Sequence, residues 1–241
     1  MRYAVLSDIH GNLEALRAVL ADAQERADDL LCLGDVVGYG ADPGPCADLV
    51  GTRARAVVAG NHEHAVTGRL DLRWFNPYAR AAAEWTRGRL DGDCAAYLAA
   101  LPLVADVHDA TLVHASPRHP EEWDYLVTAD DGLAAFEAFT TRLCFVGHSH
   151  VPAVWSLGSS GPDYERGDVH VTLDGGRRYI VNVGSVGQPR DRDPRAAYAL
   201  WDVEAREVTL RRVPYDIASA RAKIEAAGLP RFLSDRLAAG A

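Results

Sequence analysis

Six short apolar runs punctuate the chain, at residues 3–6, 30–33, 56–59, 111–113, 143–146 and 179–183. Each is rich in Val, Leu or Ile and stops abruptly at small or polar residues, the pattern of strands buried on both faces. Between the first two runs, Leu13, Leu16, Val19, Leu20 and Ala23 recur at helical spacing. Asn12 stands at the N-cap position of that helix and Glu14 in its first turn. A second helix is expected over residues 45–50. Strand alternating with helix in this order predicts an α/β sheet.

The pattern changes after Glu63. Residues 64–101 are Ala- and Arg-rich, with helical stretches at 78–87 and 93–101, and read as a helical insertion over one end of the sheet. Such a segment can cap a site or supply a homodimer face. From residue 169 the chain reads as mostly antiparallel strands, at 169–173, 178–183, 197–202 and 208–213. Gly175-Gly176 offers a hairpin turn between the first two. Helices are expected at 215–227 and 231–239, separated by Gly228 and Pro230.

Composition narrows the class. A chain of 241 residues with 48% apolar and 24% charged residues has the make-up of a folded soluble protein, and a single domain over residues 1–241 is expected. The formal net charge of −9 argues against broad attachment to long nucleic acid or an anionic membrane. It also means that an anionic substrate needs local compensation, which bound cations provide. Cys32, Cys46, Cys94 and Cys144 form no CxxC pair, and those inside apolar runs behave as reduced core thiols. No apolar stretch approaches the ~20 residues of a membrane span. The chain opens on strand-like residues with no leader pattern, so a cytoplasmic location is expected.

Chemistry collects where the strands stop. The first run is followed by Ser7-Asp8-Ile9-His10-Gly11-Asn12, the second by Gly34-Asp35, the third by Gly60-Asn61-His62-Glu63. The fourth leads into His114-Ala115-Ser116 and the fifth into Gly147-His148-Ser149-His150. Taken singly, each is an ordinary Asx turn, helix cap or loop histidine. Together, five successive strands deliver oxygen or imidazole donors at their carboxyl ends, where α/β sheets place ligand crevices. Such donors without thiolates suit Mn²⁺, Fe, Co, Ni or Zn²⁺.

Asp8-x-His10, Gly34-Asp35, Gly60-Asn61-His62-Glu63, the strand-terminal His114 and Gly147-His148-x-His150 resemble, in content and order, the five-block signature of calcineurin-like metallophosphoesterases. Asn182-Val183-Gly184-Ser185-Val186-Gly187-Gln188-Pro189-Arg190 adds similarity to the small prokaryotic single-domain phosphodiesterase branch. The resemblance implies a four-layer αββα sandwich of two mixed β-sheets flanked by helices. It implies two divalent transition-metal ions, Mn²⁺ first among them. Asp8, His10 and His150 would hold one ion, and Asn61, His114 and His148 the other. Asp35 would bridge them, with a water or hydroxide as second bridge and nucleophile. His62 would face the substrate as general acid or charge stabiliser, or else merely support its loop.

Other positions stay open. Arg190 is either a bidentate phosphate contact or a surface partner of Asp191 or Asp193. Tyr39 either lines the pocket or packs in its loop, and Asn12 either caps its helix or directs that helix toward a phosphate. His64, His108, His119 and His170 read as ordinary histidines. Trp74, Trp85, Trp123, Trp155 and Trp201 read as core or interface residues and not as base-stacking platforms. The expected activity is hydrolysis of a small phosphodiester or nucleotide polyphosphate, with phosphomonoesterase, nuclease and non-catalytic scaffold as alternatives.

Overall fold

The computed structural model describes residues 1–168 and 170–241. In chain order its strands are β1 (Arg2–Leu6), β2 (Asp29–Cys32), β3 (Ala54–Val57), β4 (Val104–Val107), β5 (Ala110–Val113), β6 (Leu143–Val146), β7 (Ala153–Gly158), β8 (Gly161–Arg166), β9 (His170–Thr172), β10 (Arg178–Asn182), β11 (Ala196–Asp202) and β12 (Glu207–Val213). They form two six-stranded sheets, ordered β3-β2-β1-β11-β12-β9 and β4-β5-β6-β10-β7-β8. In the first, β1, β2 and β3 run parallel, and β11, β12 and β9 extend it by antiparallel pairing. In the second, β5, β6 and β10 run parallel, with β4 antiparallel on one side and β7 and β8 on the other. The helices are α1 (Leu13–Ala23), α2 (Pro43–Arg53), α3 (Asn61–Val66), α4 (Pro77–Arg87), α5 (Gly92–Ala100), α6 (Ala129–Ala135), α7 (Ile217–Ala226) and α8 (Arg231–Ala239). Two mixed sheets flanked by helices make the four-layer sandwich expected from the motifs. Among the described residues, no helix is long and apolar enough to cross a membrane.

Strand alternation builds the layers. Tyr3 and Val5 of β1 share the core between the sheets with Phe145 and Val181 of the second sheet, and the Phe145 ring lies 5.5 Å from that of Trp201. Ala4 and Leu6, on the other face of β1, join Leu16 and Val19 of α1 and Val50 of α2. Cys144, Val146 and Ile180 repeat the arrangement outside the second sheet, against Phe136 and Phe139 beyond α6. A fourth apolar cluster unites α4, α7 and α8 through Ala79, Ala82, Ala220, Ile224, Leu233 and Leu237, and reaches Tyr39.

The hairpin expected at Gly175-Gly176 does not form. β9 pairs with β12 in one sheet, while β10 lies between β6 and β7 in the other. The expected strand 169–173 begins on Val169, which lies outside the described residues. Val171 and Leu173 enter the core between the sheets, as do Tyr179 and Val181, so the turn joining them spans the sandwich instead of closing a ribbon. An Arg177 N–H donates to the Asp174 carbonyl there at 3.1 Å. Apolar periodicity also overlooks β4, β7 and β8. β8 is a mostly exposed edge strand carrying Pro162, Asp163, Glu165 and Arg166, residues that guard a sheet edge and erase its hydrophobic signal.

One ion pair ties α1 to the first sheet. Arg211 donates through Nε and Nη2 to the two Asp22 oxygens at 2.7 and 3.0 Å, and the Tyr198 hydroxyl donates to the same carboxylate at 2.6 Å. Arg211, and after it Tyr198, holds the Asp22 carboxyl below its usual value despite partial burial. Asp22→Asn is expected to lower the unfolding free energy by roughly 1.5–3 kcal/mol, the range for hydrogen bonds to charged groups. Because the folded carboxyl is depressed, this stability is present above the unfolded carboxyl's value and is lost as pH falls through the folded one. Urea midpoints of the two proteins should therefore differ at neutral pH and converge in acid.

Candidate metal centre and its cleft

Five loops meet at the open end of the sandwich. Asp8 and His10 follow β1, Asp35 follows β2, and Asn61 and His62 open α3 after β3; His114 follows β5, and His148 and His150 follow β6. Three loops thus leave the first sheet and two the second, and neither sheet alone could assemble the set. Asp8, His10, Asp35, His62, His114, His148 and His150 are all buried. Asp8, His10, Asp35, His148 and His150 all have φ between 51° and 63°. That left-handed conformation is strained outside glycine, though Asp and His tolerate it better than most. Each instance costs of order ~1 kcal/mol or more, so the surrounding packing must hold five strained residues at one spot.

The donor atoms fall into three overlapping groups, each within 4.8 Å: Asp8 with His10 and His150, Asp35 with His114 and His148, and Asp35 with His10 and His62. Asp35 Oδ2 lies 3.6 Å from His10 Nε2 and 3.2 Å from His114 Nε2, so one carboxylate stands between the first two groups. Three imidazoles are fixed by backbone carbonyls: His10 Nδ1 to Val37 O at 3.2 Å, His114 Nδ1 to Leu33 O at 2.8 Å and His150 Nδ1 to Gln188 O at 2.6 Å. A carbonyl only accepts, so each Nδ1 carries the proton and each Nε2 of the neutral ring turns a lone pair inward. The Nε2 atoms of His10 and His150 face each other at 3.1 Å, an arrangement that calls for positive charge between them. Asp8 Oδ1 and Asn61 Oδ1 are buried without a hydrogen-bond partner in the protein. Orphaned oxygens, oriented imidazoles and no thiolate fit a divalent transition-metal centre.

Burial pushes the His148 ring down to about 3, with His114 adding to the effect, and pushes His150 down to about 4 with help from Arg190. Both rings are therefore neutral near pH 7, as ligands must be. Burial alone would raise the two carboxyls. His150, with His10 and His114, outweighs it for Asp8, and His114, with His62 and His10, does so for Asp35; both lie well below the usual carboxylate range. Burial likewise opposes the charged form of His114, but Asp35 beside it lifts the ring to about 9, so a cation binding between them must displace a proton from His114 before this ring can act as a ligand.

Glu63 organises the centre from beneath. Its fully buried carboxylate accepts N–H groups from Asp35 at 2.7 Å, Val36 at 2.9 Å, Val37 at 3.2 Å and Gly60 at 2.8 Å, tying the loop after β2 to the start of α3. Its signal in the sequence is local: it occupies the third helical position, where a capping glutamate reaches back to the N-cap N–H. Asp35 Oδ1 accepts the His62 N–H at 2.9 Å. Gly147 is required by space, since a Cβ there would collide with Ser7 Oγ and Asp8 Oδ2. From β10, Asn182 Nδ2 donates to the Gly147 carbonyl at 2.6 Å, and Ser185 Oγ, just beyond the strand, donates to the Asp8 carbonyl at 2.8 Å.

The remaining candidates resolve differently. Asn12 is spent inside the protein, with Oδ1 capping Ala15 N at 3.1 Å and Nδ2 donating to Gly187 O at 2.9 Å, so its geometry is that of the helix cap. Tyr39 is 8% exposed, with its ring 4.6 Å from His10 and 4.5 Å from His62. Arg190 does not make the surface ion pair weighed above, because Arg212 takes Asp191 and Arg195 takes Asp193. Instead its backbone N–H donates to the His150 carbonyl at 3.2 Å and its Nη2 to Gln188 Oε1 at 2.9 Å. Arg236 of α8 donates Nη1 to that same Gln188 oxygen at 3.0 Å. Burial, then the charge of Arg190, pushes the Arg236 guanidinium down to about 10. Nothing around residue 236 in the sequence marks this, since the residue reaches the site only through the packing of α7 and α8.

A cleft of about 610 Å³ opens beside Asn61, His62 and His148. Here the expectation for the tryptophans needs correction. Trp155 and Trp201 are core residues, but Trp74 and Trp123 line the cleft, and Trp74 is 83% exposed. Trp74 closes one single-turn helix, Leu72–Trp74, and Trp123 follows another, Pro120–Glu122; such short turns have no apolar period to distinguish a cleft wall from a buried aromatic.

The sequence model of the calcineurin-like phosphoesterase superfamily domain matches residues 1–206, a span that stops just before β12, α7 and α8. An uncharacterized protein of Methanocaldococcus jannaschii is 39% identical over 249 residues, covering 98% of this chain and 97% of its own. The crystal structure of a metallophosphoesterase from Sphaerobacter thermophilus is 46% identical, with a TM-score of 0.88 over 100% of this chain and 99% of its own. A hypothetical protein from Pyrococcus horikoshii has the same fold at 22% identity, with a TM-score of 0.79 and coverage of 100% and 98%.

Proposed function

The chain belongs to the calcineurin-like phosphoesterase superfamily and is a phosphoric ester hydrolase of that metal-dependent family, and we propose that it works with two divalent ions on a small phosphodiester or nucleotide polyphosphate. The observation that carries this is the placement of Asp35 Oδ2 between the Asp8–His10–His150 and His114–His148 groups. Asp8, His10 and His150 would hold one ion, Asn61, His114 and His148 the other, and Asp35 both. The unpaired Asp8 and Asn61 oxygens support that division. Two bound ions supply charge neutralisation at the phosphoryl oxygens and acidify a shared water.

The chain's own groups do the rest. His62, in the cleft wall, protonates the leaving oxygen or stabilises charge on the phosphoryl group. Burial holds its free ring neutral, well below the ordinary histidine value, and an anionic ester beside it favours the protonated form. Arg190 and Arg236 place two guanidinium groups on one amide oxygen. Each disfavours the other's charge, and an anion brought to them relieves that repulsion, which supports a substrate with a second phosphate. The net charge of −9 and the carboxylates of Glu121 and Glu122 in the cleft wall disfavour long polyanions.

Chelation is expected to abolish turnover of an aryl phosphodiester. Mn²⁺, Co²⁺ or Ni²⁺ should restore it better than Ca²⁺, which prefers oxygen donors. Metal content is measured by mass spectrometry on the same samples, and full turnover with metal at zero would overturn the proposal.

A further inference from the structure

The 610 Å³ cleft is walled by aromatic rings from two separate loops. Trp74 and Phe75 come from one, Trp123 and Tyr125 from the other, and Tyr39 closes the end nearest His62. Several of these rings sit where folding alone would not put them. Trp74 is 83% exposed and Tyr125 51% exposed, although large apolar rings are normally withdrawn from water. Trp123 has φ +60°, a strained backbone conformation for a bulky residue. The Tyr125 ring lies flat on His148, with centroids 4.0 Å apart and planes 22° from parallel. Glu121 and Glu122 stand in the same wall, and among the described residues no Lys or Arg lines the cleft.

This combination selects a ligand. Flat aromatic walls favour a planar ring. Arg190 lies behind Tyr39, its Cζ 5.8 Å from that ring, which leaves an anionic group to the phosphate end, whereas the Glu121 and Glu122 carboxylates repel one and accept hydrogen bonds from N–H donors. We propose that the cleft is a base pocket, receiving the uncharged, amino-bearing nucleobase of a nucleotide whose phosphate lies at the Asn61, His62 and His148 end. The inference rests on the phosphoesterase reading of the same site. It narrows the substrate class from small phosphoesters in general to nucleotides. Trp74 and Trp123 set that specificity by stacking, and Glu121 and Glu122 contribute by accepting from the exocyclic amino group.

The test is calorimetric binding to the full chain loaded with Mn²⁺, using adenosine 5′-monophosphate and ribose 5-phosphate, which share the phosphorylated sugar and differ in the base. The nucleotide is expected to bind at least ~10-fold more tightly, the scale that base–aromatic stacking supports. Trp74→Ala, at an exposed position the fold does not depend on, should remove most of that difference while leaving ribose 5-phosphate unchanged. Trp74→Phe should retain most of it. Equal affinities for the two ligands, or equal weakening of both by Trp74→Ala, would overturn the base pocket. Turnover of bis(p-nitrophenyl) phosphate is followed separately. Its absence with two metals bound, beside an intact base-dependent difference, would fail the diester reading of the site and uphold the pocket.

Discussion

Asp35→Asn is expected to cut turnover on the order of 10³-fold or more, beyond what loss of a single transition-state hydrogen-bond donor costs, and to leave fewer than two metals per chain. The geometry gives the reason. Oδ2 lies 3.6 Å from His10 Nε2 and 3.2 Å from His114 Nε2, so one oxygen serves both donor groups, and Oδ1 also holds the His62 N–H at 2.9 Å. An amide keeps one oxygen and loses the charge that offsets two cations. The backbone is not at fault in this variant, because asparagine tolerates the φ of 51° at this position as readily as aspartate. Metal analysis and steady-state kinetics on one preparation decide the matter. Two metals per chain with unchanged kcat would remove Asp35 from its bridging role.

His62→Ala is expected to lose roughly 10²–10⁴-fold in kcat, the usual scale of general acid catalysis, while retaining both metals. Its ring packs among Tyr39, Phe75 and His10, with centroids 4.5, 5.0 and 4.8 Å away, and Nδ1 rests against Gly38 without a hydrogen-bond partner. The loss should shrink for esters with good leaving groups, since these depart without a proton. An equal loss for good and poor leaving groups would assign His62 to charge stabilisation or to support of its loop. Because His62 also falls within 4.8 Å of donor atoms on His10 and Asp35, metal content is the decisive second readout. Loss of an ion in the variant would make His62 a ligand instead of the proton donor.

What was readable in the chain is uneven, and the unevenness has physical causes. The parallel strands β1, β2, β5, β6 and β10 announce themselves because burial on both faces demands unbroken apolar runs. The edge strand β8 does not, because an exposed sheet edge is kept polar to avoid mispairing, and β4 does not because its four residues, Val104–Val107, are interrupted by Asp106. The donor residues stand out because each follows its strand within a few positions. Glu63, by contrast, sits in plain view in Gly60-Asn61-His62-Glu63, yet its task of gathering four N–H groups depends on residues 26 to 28 positions away as well as on Gly60.

The sequence by itself determined the α/β class, the order in which donors leave the strands, and the chemistry of those donors. These rest on local energetics: side-chain alternation along a strand, capping of a helix, and the affinity of oxygen and imidazole for divalent ions. Only the tertiary structure decided that β9 and β10 belong to different sheets, that five residues of the candidate metal centre are held left-handed, and that Arg236 meets Arg190 across Gln188. It also decided that Trp74 and Trp123 face the cleft while Trp155 and Trp201 fill the core. A tryptophan carries the same apolar area in either place, and only the packing of distant segments settles whether that area meets the protein or stays available to a ligand.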